Sequence, residues 1–368
     1  MQKTNQTAII VTDRRVMPPW GGNSLRILGL IRSLRVLGWR VVIISANVEG
    51  VNQLRKEVDT LVLVRASTYL GGNMDTFNVE PFRRAVELVA EEVRPAVVVA
   101  EYAWLSPVLQ SLPKDVERWV DCHDVFHERT SRFRALGLDP WVVCNREQES
   151  EYLGFADTLI AIQNREARLL KELCPAKRVV CLLPSIELPH GFKRTQGETF
   201  KVLTVGAKHA GNEGIRQFAG SPWASVLTRI PEAHLQIVGA IGSRMAPRRS
   251  VEIIGEVNDL YPYYSSAAVV VCPMTVGTGI KIKMLEALRF GKAVVATRAA
   301  MEGLPVSQSH AWLTVDTLSE CADAVATLLT DCKARSNLED AAFSYGKKYL
   351  SQARFLKVIR SILPNASA

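Results

Sequence analysis

Short apolar runs alternate with amphipathic stretches along almost the whole chain. Thr7 to Val11 is an apolar run of strand length. Asn23 to Leu37 repeats apolar residues at helical spacing through Leu28, Ile31, Leu34 and Leu37, and Arg40 to Ser45 is a second strand. The chain thus opens as a βαβ unit. Further strands are predicted at Thr60 to Val64, Ala96 to Ala100, Arg118 to Val120, Thr158 to Ile162 and Val179 to Leu183, with a helix over Val79 to Val93. Strands this uniformly apolar, spaced by helices, predict a parallel sheet covered on both faces.

From Pro184 to Thr199 the pattern stops. Pro184, Pro189, Gly191 and Gly197 interrupt a polar stretch, which reads as a linker. A second series follows, with strands at Lys201 to Val205, His234 to Val238, Val251 to Ile254, Ala268 to Cys272 and Ala293 to Ala296. Helices are predicted near Asn212 to Leu227 and Asp259 to Ser266, after Ile280, and from Arg335 to Leu363. The expected architecture is α/β, with two Rossmann-like domains facing a cleft, the first over residues 1–185 and the second over 186–350. No internal repeat or low-complexity tract is present.

Composition agrees with two cores. The 368 residues exceed the roughly 250 to 300 that one core usually spans, and 48% are hydrophobic. No apolar run approaches the roughly 20 residues needed to cross a bilayer. Met1 to Gln6 is polar rather than a signal peptide, so a cytoplasmic protein is expected. Seven cysteines without a Cys-x-x-Cys pair, Cys181 and Cys272 among them in apolar runs, read as reduced thiols. The net charge of +8 is uneven: residues 1–50 carry seven Lys or Arg against two acids, and residues 186–368 carry 21 against 15. Both stretches suit anionic partners, a nucleotide diphosphate and a lipid phosphate or membrane surface. No basic run with interleaved aromatics points to nucleic acid.

The most informative segment follows the strand Ala268 to Cys272. Gly277, Thr278, Gly279 and Ile280 form a loop before a helical pattern that carries Lys281, Lys283 and Glu286. Backbone N–H groups at a helix start point at an anion. The lysines add cationic donors, and a carboxylate at Glu286 can accept the two hydroxyls of a ribose. Side chains two residues apart on a helix do not share a face, so the lysines divide the work, with Lys281 the first choice for phosphate.

This segment, with Gly291 to Thr297 and Glu302-Gly303-Leu304 beyond it, resembles the donor-binding region of GT-B glycosyltransferases, in particular the family 4-like enzymes. The resemblance implies retaining transfer of a sugar from a nucleotide-diphosphate sugar, which is a donor substrate rather than a cofactor. It also implies that a C-terminal helix, residues 351–368, packs back on the N-terminal domain. In many members a first glutamate lies eight residues before the one matching Glu286. Here that position is Thr278, which removes a charged contact to the sugar.

The other candidate residues sit at predicted strand ends, where open α/β sheets bind ligands. Asp121 to Arg129 contains a His-Asp pair that resembles the family's histidine beside the donor sugar, a role the resemblance passes to His123. Asp124 either orients that ring or holds Arg129, and His127 reads as a solvated helix residue. Val16 to Ser24 lacks the Gly-x-Gly-x-x-Gly fingerprint of nicotinamide enzymes. By resemblance this loop borders donor phosphate and acceptor. Gly21 and Gly22 either let substrate approach the backbone or belong to a turn capped by Asn23 or Ser24. In Val205 to Gly214, Lys208 matches the family's grip on the diphosphate, while Asn212 stands where a lysine is expected. Glu256 and Val257 resemble the segment that meets the base.

Aspartates and histidines lack metal-ligand spacing and no Asp-x-Asp motif is present, so lysines and a helix dipole are expected in place of a divalent ion. The expected acceptor is a glycan or a polyprenyl-linked acceptor. Trp20, Arg14, Arg15, Arg32 and Arg35 form a basic edge that is either merely solvated or meets the anionic inner face of a membrane. Two other activities fit the same residues: a nucleotide-sugar epimerase of GT-B architecture, and a non-catalytic partner subunit that binds nucleotide sugar.

Overall fold

A computed structural model describes residues 6–19, 21–69, 71–208, 210–276, 279–305 and 310–364. The chain divides into two compact units, Met1–Ser185 with Gln352–Ala368, and Ile186–Ser351.

The first unit begins with β1 (Thr7–Thr12), α1 (Gly22–Val36), β2 (Arg40–Ser45), α2 (Val51–Glu57) and β3 (Thr60–Leu63). It continues through β4 (Gly72–Asn73), α3 (Glu80–Val93), β5 (Val97–Glu101), β6 (Glu117–Asp121) and α4 (Phe126–Ala135). Then come β7 (Val142–Val143), α5 (Arg146–Leu153), β8 (Thr158–Ala161), α6 (Asn164–Leu173) and β9 (Arg178–Cys181). Seven strands form one parallel sheet in the order β3-β2-β1-β5-β6-β8-β9. Alternate residues of β1, β2 and β5 feed opposite faces: Ile9, Val42 and Val98 join one apolar cluster, while Ile10, Val41, Ile43 and Val99 join another. Both faces are therefore covered, which is why these strands are apolar throughout.

The second unit contains β10 (Glu198–Val205), α7 (Glu213–Phe218), α8 (Ser221–Arg229), β11 (His234–Val238), β12 (Val251–Gly255) and α9 (Tyr261–Ser266). It continues with β13 (Ala267–Cys272), α10 (Ile282–Arg289), β14 (Ala293–Thr297), α11 (Arg298–Met301), β15 (Leu313–Val315), α12 (Leu318–Thr330) and α13 (Cys332–Tyr349). Its six-stranded parallel sheet runs β12-β11-β10-β13-β14-β15. Lys292, buried just before β14, donates from Nζ to the carbonyls of Thr195, Ser265 and Ala267, which anchors the segment leading into β10.

Two predicted helices are each divided. The stretch Asn212 to Leu227 forms α7 and α8, because Gly220 leaves helical geometry and Pro222, near the start of α8, has no N–H to continue the earlier ladder. The stretch Arg335 to Leu363 breaks after α13, where the chain leaves the second unit, and resumes as α14 (Gln352–Ile362) in the first. Phe355, Ile359 and Ile362 of α14 are buried in the cluster that holds Leu28, Ile31 and Leu34 of α1. Helix α1 is consequently apolar on more than one side.

Candidate active site

Each sheet reverses strand order once, between β1 and β5 in the first unit and between β10 and β13 in the second. Loops leaving strands on either side of such a reversal diverge, and ligands bind in the crevice they leave. Most of the residues singled out above lie on loops at or next to these two places, whereas Glu256 and Val257 follow the edge strand β12.

In the second unit, β13 leads through Pro273–Ile280 into α10. Gly277 and Thr278 lie outside the described residues. Gly279 has φ +68°, a backbone conformation natural to glycine. Lys281 is the extended residue just before α10, not inside it, and its Nζ donates to the Gly279 carbonyl at 2.5 Å. Ile280 is half-buried. Thr297 Oγ1 donates to the Met274 carbonyl at 2.5 Å and braces the start of the loop. The start of α7 comes very close: a Cβ on Gly214 would lie 1.8 Å from the Pro273 carbonyl oxygen, so only glycine fits there.

Lys283 spans the reversal. Its Nζ donates to Asn212 Oδ1, and Asn212 Nδ2 donates to the Ala207 carbonyl at 2.7 Å, tying the loop after β10 to the first turn of α10. The residue standing where a lysine was expected therefore grips a lysine from the first turn of α10. Glu286 is three residues further along α10, on the same face. Its Oε2 accepts a 2.9 Å hydrogen bond from Tyr264, whose buried ring stacks on Phe290. Burial pushes Glu286 up to about 7, opposed by the Tyr264 hydroxyl and Lys283, and pushes Lys283 down to about 8. Lys208 is exposed on the loop after β10. Beyond β12, Glu256 is exposed and Val257 half-buried.

In the first unit, β5 ends at Glu101 and β6 at Asp121. His123 Nε2 lies 2.6 Å from Glu101 Oε2, and the Tyr102 ring stacks on the imidazole with centroids 4.1 Å apart. Tyr102 and His123 both have positive φ, +80° and +56°, so strained backbone holds the two rings in contact. Tyr102 also stacks on Trp104, and Trp104 on Tyr69, which makes a column of four rings ending in His123. Ligand-type atoms of Glu101, Asp121 and His123 fall within 4.8 Å of one another. Sequence spacing did not reveal this grouping. The cation in it is Arg26, whose Nε lies 2.7 Å from both oxygens of Asp121.

Several expectations change here. Of the two roles expected for Asp124 the structure shows the second: it accepts from Arg129 Nη1 at 2.7 Å, while Glu101 is the partner of His123. His127 is not simply solvated, because its Nδ1 lies 2.6 Å from the buried carboxylate of Glu149. Neither Asn23 nor Ser24 caps α1: Gly21, exposed with φ +137°, occupies the N-cap without a side-chain bond, and Ser24 Oγ donates to the Arg15 carbonyl. Gly22 is the first residue of α1. The arginines of the basic edge are engaged with protein groups. Arg32 pairs with Glu57, Arg35 donates to the carbonyls of Lys56 and Glu57, Arg15 pairs with Glu49, and Arg14 lies over the rings of Tyr102, Trp104 and Trp141. Trp20 lies outside the described residues.

Residues 21–184 match the family described as Glycosyl transferase 4-like domain, and residues 199–331 match Glycosyl transferases group 1. The chain belongs to the GT-B, family 4-like glycosyltransferases. This glycosyltransferase shares its fold with sucrose-phosphate synthase from Thermosynechococcus elongatus, at 16% identity and TM-score 0.73, over 97% of this chain and 98% of that one. Anabaena Alr3699/HepE in complex with UDP-glucose matches at 14% identity and TM-score 0.72, over 97% of this chain and 99% of that one. A TarM variant from S. aureus, in complex with Fondaparinux, alpha-GlcNAc-glycerol and UDP, matches at 10% identity and TM-score 0.72, over 98% of this chain and 100% of that one. Comparison of the glycosyltransferase with curated proteins returns no match.

Proposed function

We propose that this glycosyltransferase moves a hexose, with retention, from a nucleotide-diphosphate sugar to a glycan or lipid-linked acceptor in cell-surface polysaccharide or glycolipid synthesis. The observation that carries the reading is Lys283 held by Asn212 across the strand reversal of the second unit, with Glu286 on the same helix face. A fixed cation beside a loop that ends at a helix start suits a diphosphate, and a carboxylate one turn on suits a ribose. The solved relatives whose descriptions include UDP or UDP-glucose support the donor class.

Transfer requires stabilising the departing diphosphate while positive charge builds on the sugar ring. Groups already fixed in place do this without reorganising during the reaction. Lys283 supplies charge to the diphosphate, Lys281 and the N–H groups of Gly279 and Ile280 supply further donors, and Lys208 adds a solvent-side contact. Glu286 takes the ribose hydroxyls, and Glu256 and Val257 border the base. In the first unit His123 addresses the transferred sugar, and the loop holding Gly21 and Gly22 borders the acceptor. These cations take the place of a divalent ion in this reading.

A cytoplasmic location belongs to the same proposal. Among the described residues no helix is long and apolar enough to cross a membrane. The arginines expected to meet a membrane are occupied with protein partners, so their pairing lends no support to a lipid contact. A thermal-shift screen of UDP-, GDP-, ADP- and dTDP-sugars tests the donor assignment, since a ligand that binds only the native state raises the melting temperature. Transfer to a labelled acceptor then separates transferase from epimerase and from a non-catalytic binder. Failure of every nucleotide sugar to stabilise the protein overturns the proposal.

A further inference from the structure

We infer that Glu101 is a positioning residue for His123: it holds Nε2, leaves Nδ1 as the ring atom that meets the sugar, and shares a proton that decides whether Nδ1 donates or accepts. This rests on the reading of His123 as the sugar-side group and deepens it. The geometry is specific. Glu101 is fully buried, its Oε2 lies 2.6 Å from Nε2, and its other oxygen has no hydrogen-bond partner among the described residues. Tyr102 fixes the plane of the imidazole from one side. With Nε2 occupied, only Nδ1 remains for a ligand.

The proton count sets what Nδ1 does. With the shared proton present, the pair is carboxylic acid with neutral imidazole, or carboxylate with imidazolium, and in both forms Nδ1 carries hydrogen and donates to a sugar oxygen. When one proton leaves to solvent, the neutral imidazole keeps its single hydrogen on Nε2, which donates to the carboxylate, and Nδ1 becomes an acceptor for a hydroxyl. Burial pushes Glu101 up to about 8 and His123 down to about 4, so the first condition holds at neutral pH. Among the described residues the other charged groups acting on the pair are Asp121 from β6, Arg26 from α1 and Arg14 from the loop after β1, while Asp13 from that loop acts on the Tyr102 hydroxyl. A guanidinium stays charged over this range, and burial keeps the Tyr102 hydroxyl protonated. Asp13 and Asp121 are both raised by burial, opposed by Arg14 and Arg26 respectively.

The test is a pH titration of the full-length protein carrying nitrogen-15 in its six histidines, with His123→Asn identifying the ring signals. In the wild type, Nδ1 of His123 should be protonated at pH 6 to 7 and lose its proton with a midpoint near 8. In Glu101→Gln that transition should vanish. A wild-type midpoint near 6.5, the ordinary value for histidine, overturns the inference without any variant. An unchanged transition in Glu101→Gln also overturns it and assigns the proton to another group such as Asp121. Addition of UDP-glucose separates the two readings. A pair that titrates as described while no nucleotide sugar shifts its signals leaves the proton sharing intact and removes His123 from the donor.

Discussion

Donor binding should peak between pH 7 and 8, because Glu286 must ionise near 7 to accept ribose hydroxyls and Lys283 must stay protonated, which burial limits to below about 8. At pH 7.5 roughly three quarters of each group is in the required form, so about 0.6 of molecules have both. At pH 6 or pH 9 that fraction falls to about 0.1. The diphosphate of UDP-glucose stays fully ionised between these limits, so affinity should drop roughly sixfold on the acid side, ~1 kcal/mol, and at least as much on the alkaline side, where the uracil N3–H also begins to ionise. Isothermal titration calorimetry at the three pH values measures this directly, with another nucleotide sugar substituted if the thermal screen selects one. Glu286→Gln should weaken binding at pH 7.5 by about 1.5 to 3 kcal/mol and abolish the acid limb while the alkaline limb remains. An acid limb that survives in Glu286→Gln, or a wild-type affinity flat from pH 6 to 9, refutes the ribose assignment.

Lys283→Met should cost donor affinity about 1.5 to 3 kcal/mol by calorimetry while changing the melting temperature of the free protein by only a few degrees, since the ammonium is desolvated before ligand arrives. Gly214→Ala should destabilise by about 1 to 3 kcal/mol in urea unfolding, because its methyl group would meet the Pro273 carbonyl at 1.8 Å. Arg32→Gln should lose about 0.5 to 1 kcal/mol of stability with no change in sedimentation with anionic vesicles, because the guanidinium already pairs with Glu57. Loss of vesicle binding in that variant would restore the membrane reading of this edge.

The strands were legible because burial on both faces leaves an unmistakable apolar run, as in Ala8 to Val11 or Val97 to Ala100. The loop before α10 was legible too, because glycine and lysine there follow one another closely in the chain. Pairings between distant segments were not. Glu101 and His123 are 22 positions apart, and Lys283 and Asn212 are 71 apart; strand order alone brings them together. Arg26 read as one more basic residue of the amino-terminal stretch, although it is buried against Asp121. Helix ends failed for a local reason: a single helical period runs through Asn212 to Leu227, and only Gly220 and Pro222 mark the break.

The return of α14 to the first unit fixes an order of events during synthesis. The segment Gln352–Ile362 leaves the ribosome only after every residue of the second unit, yet Phe355, Ile359 and Ile362 cover α1, made more than three hundred residues earlier. Until then Leu28 and Ile31 have an uncovered neighbour surface, and the nascent amino-terminal half waits, incompletely packed, while its successor is translated.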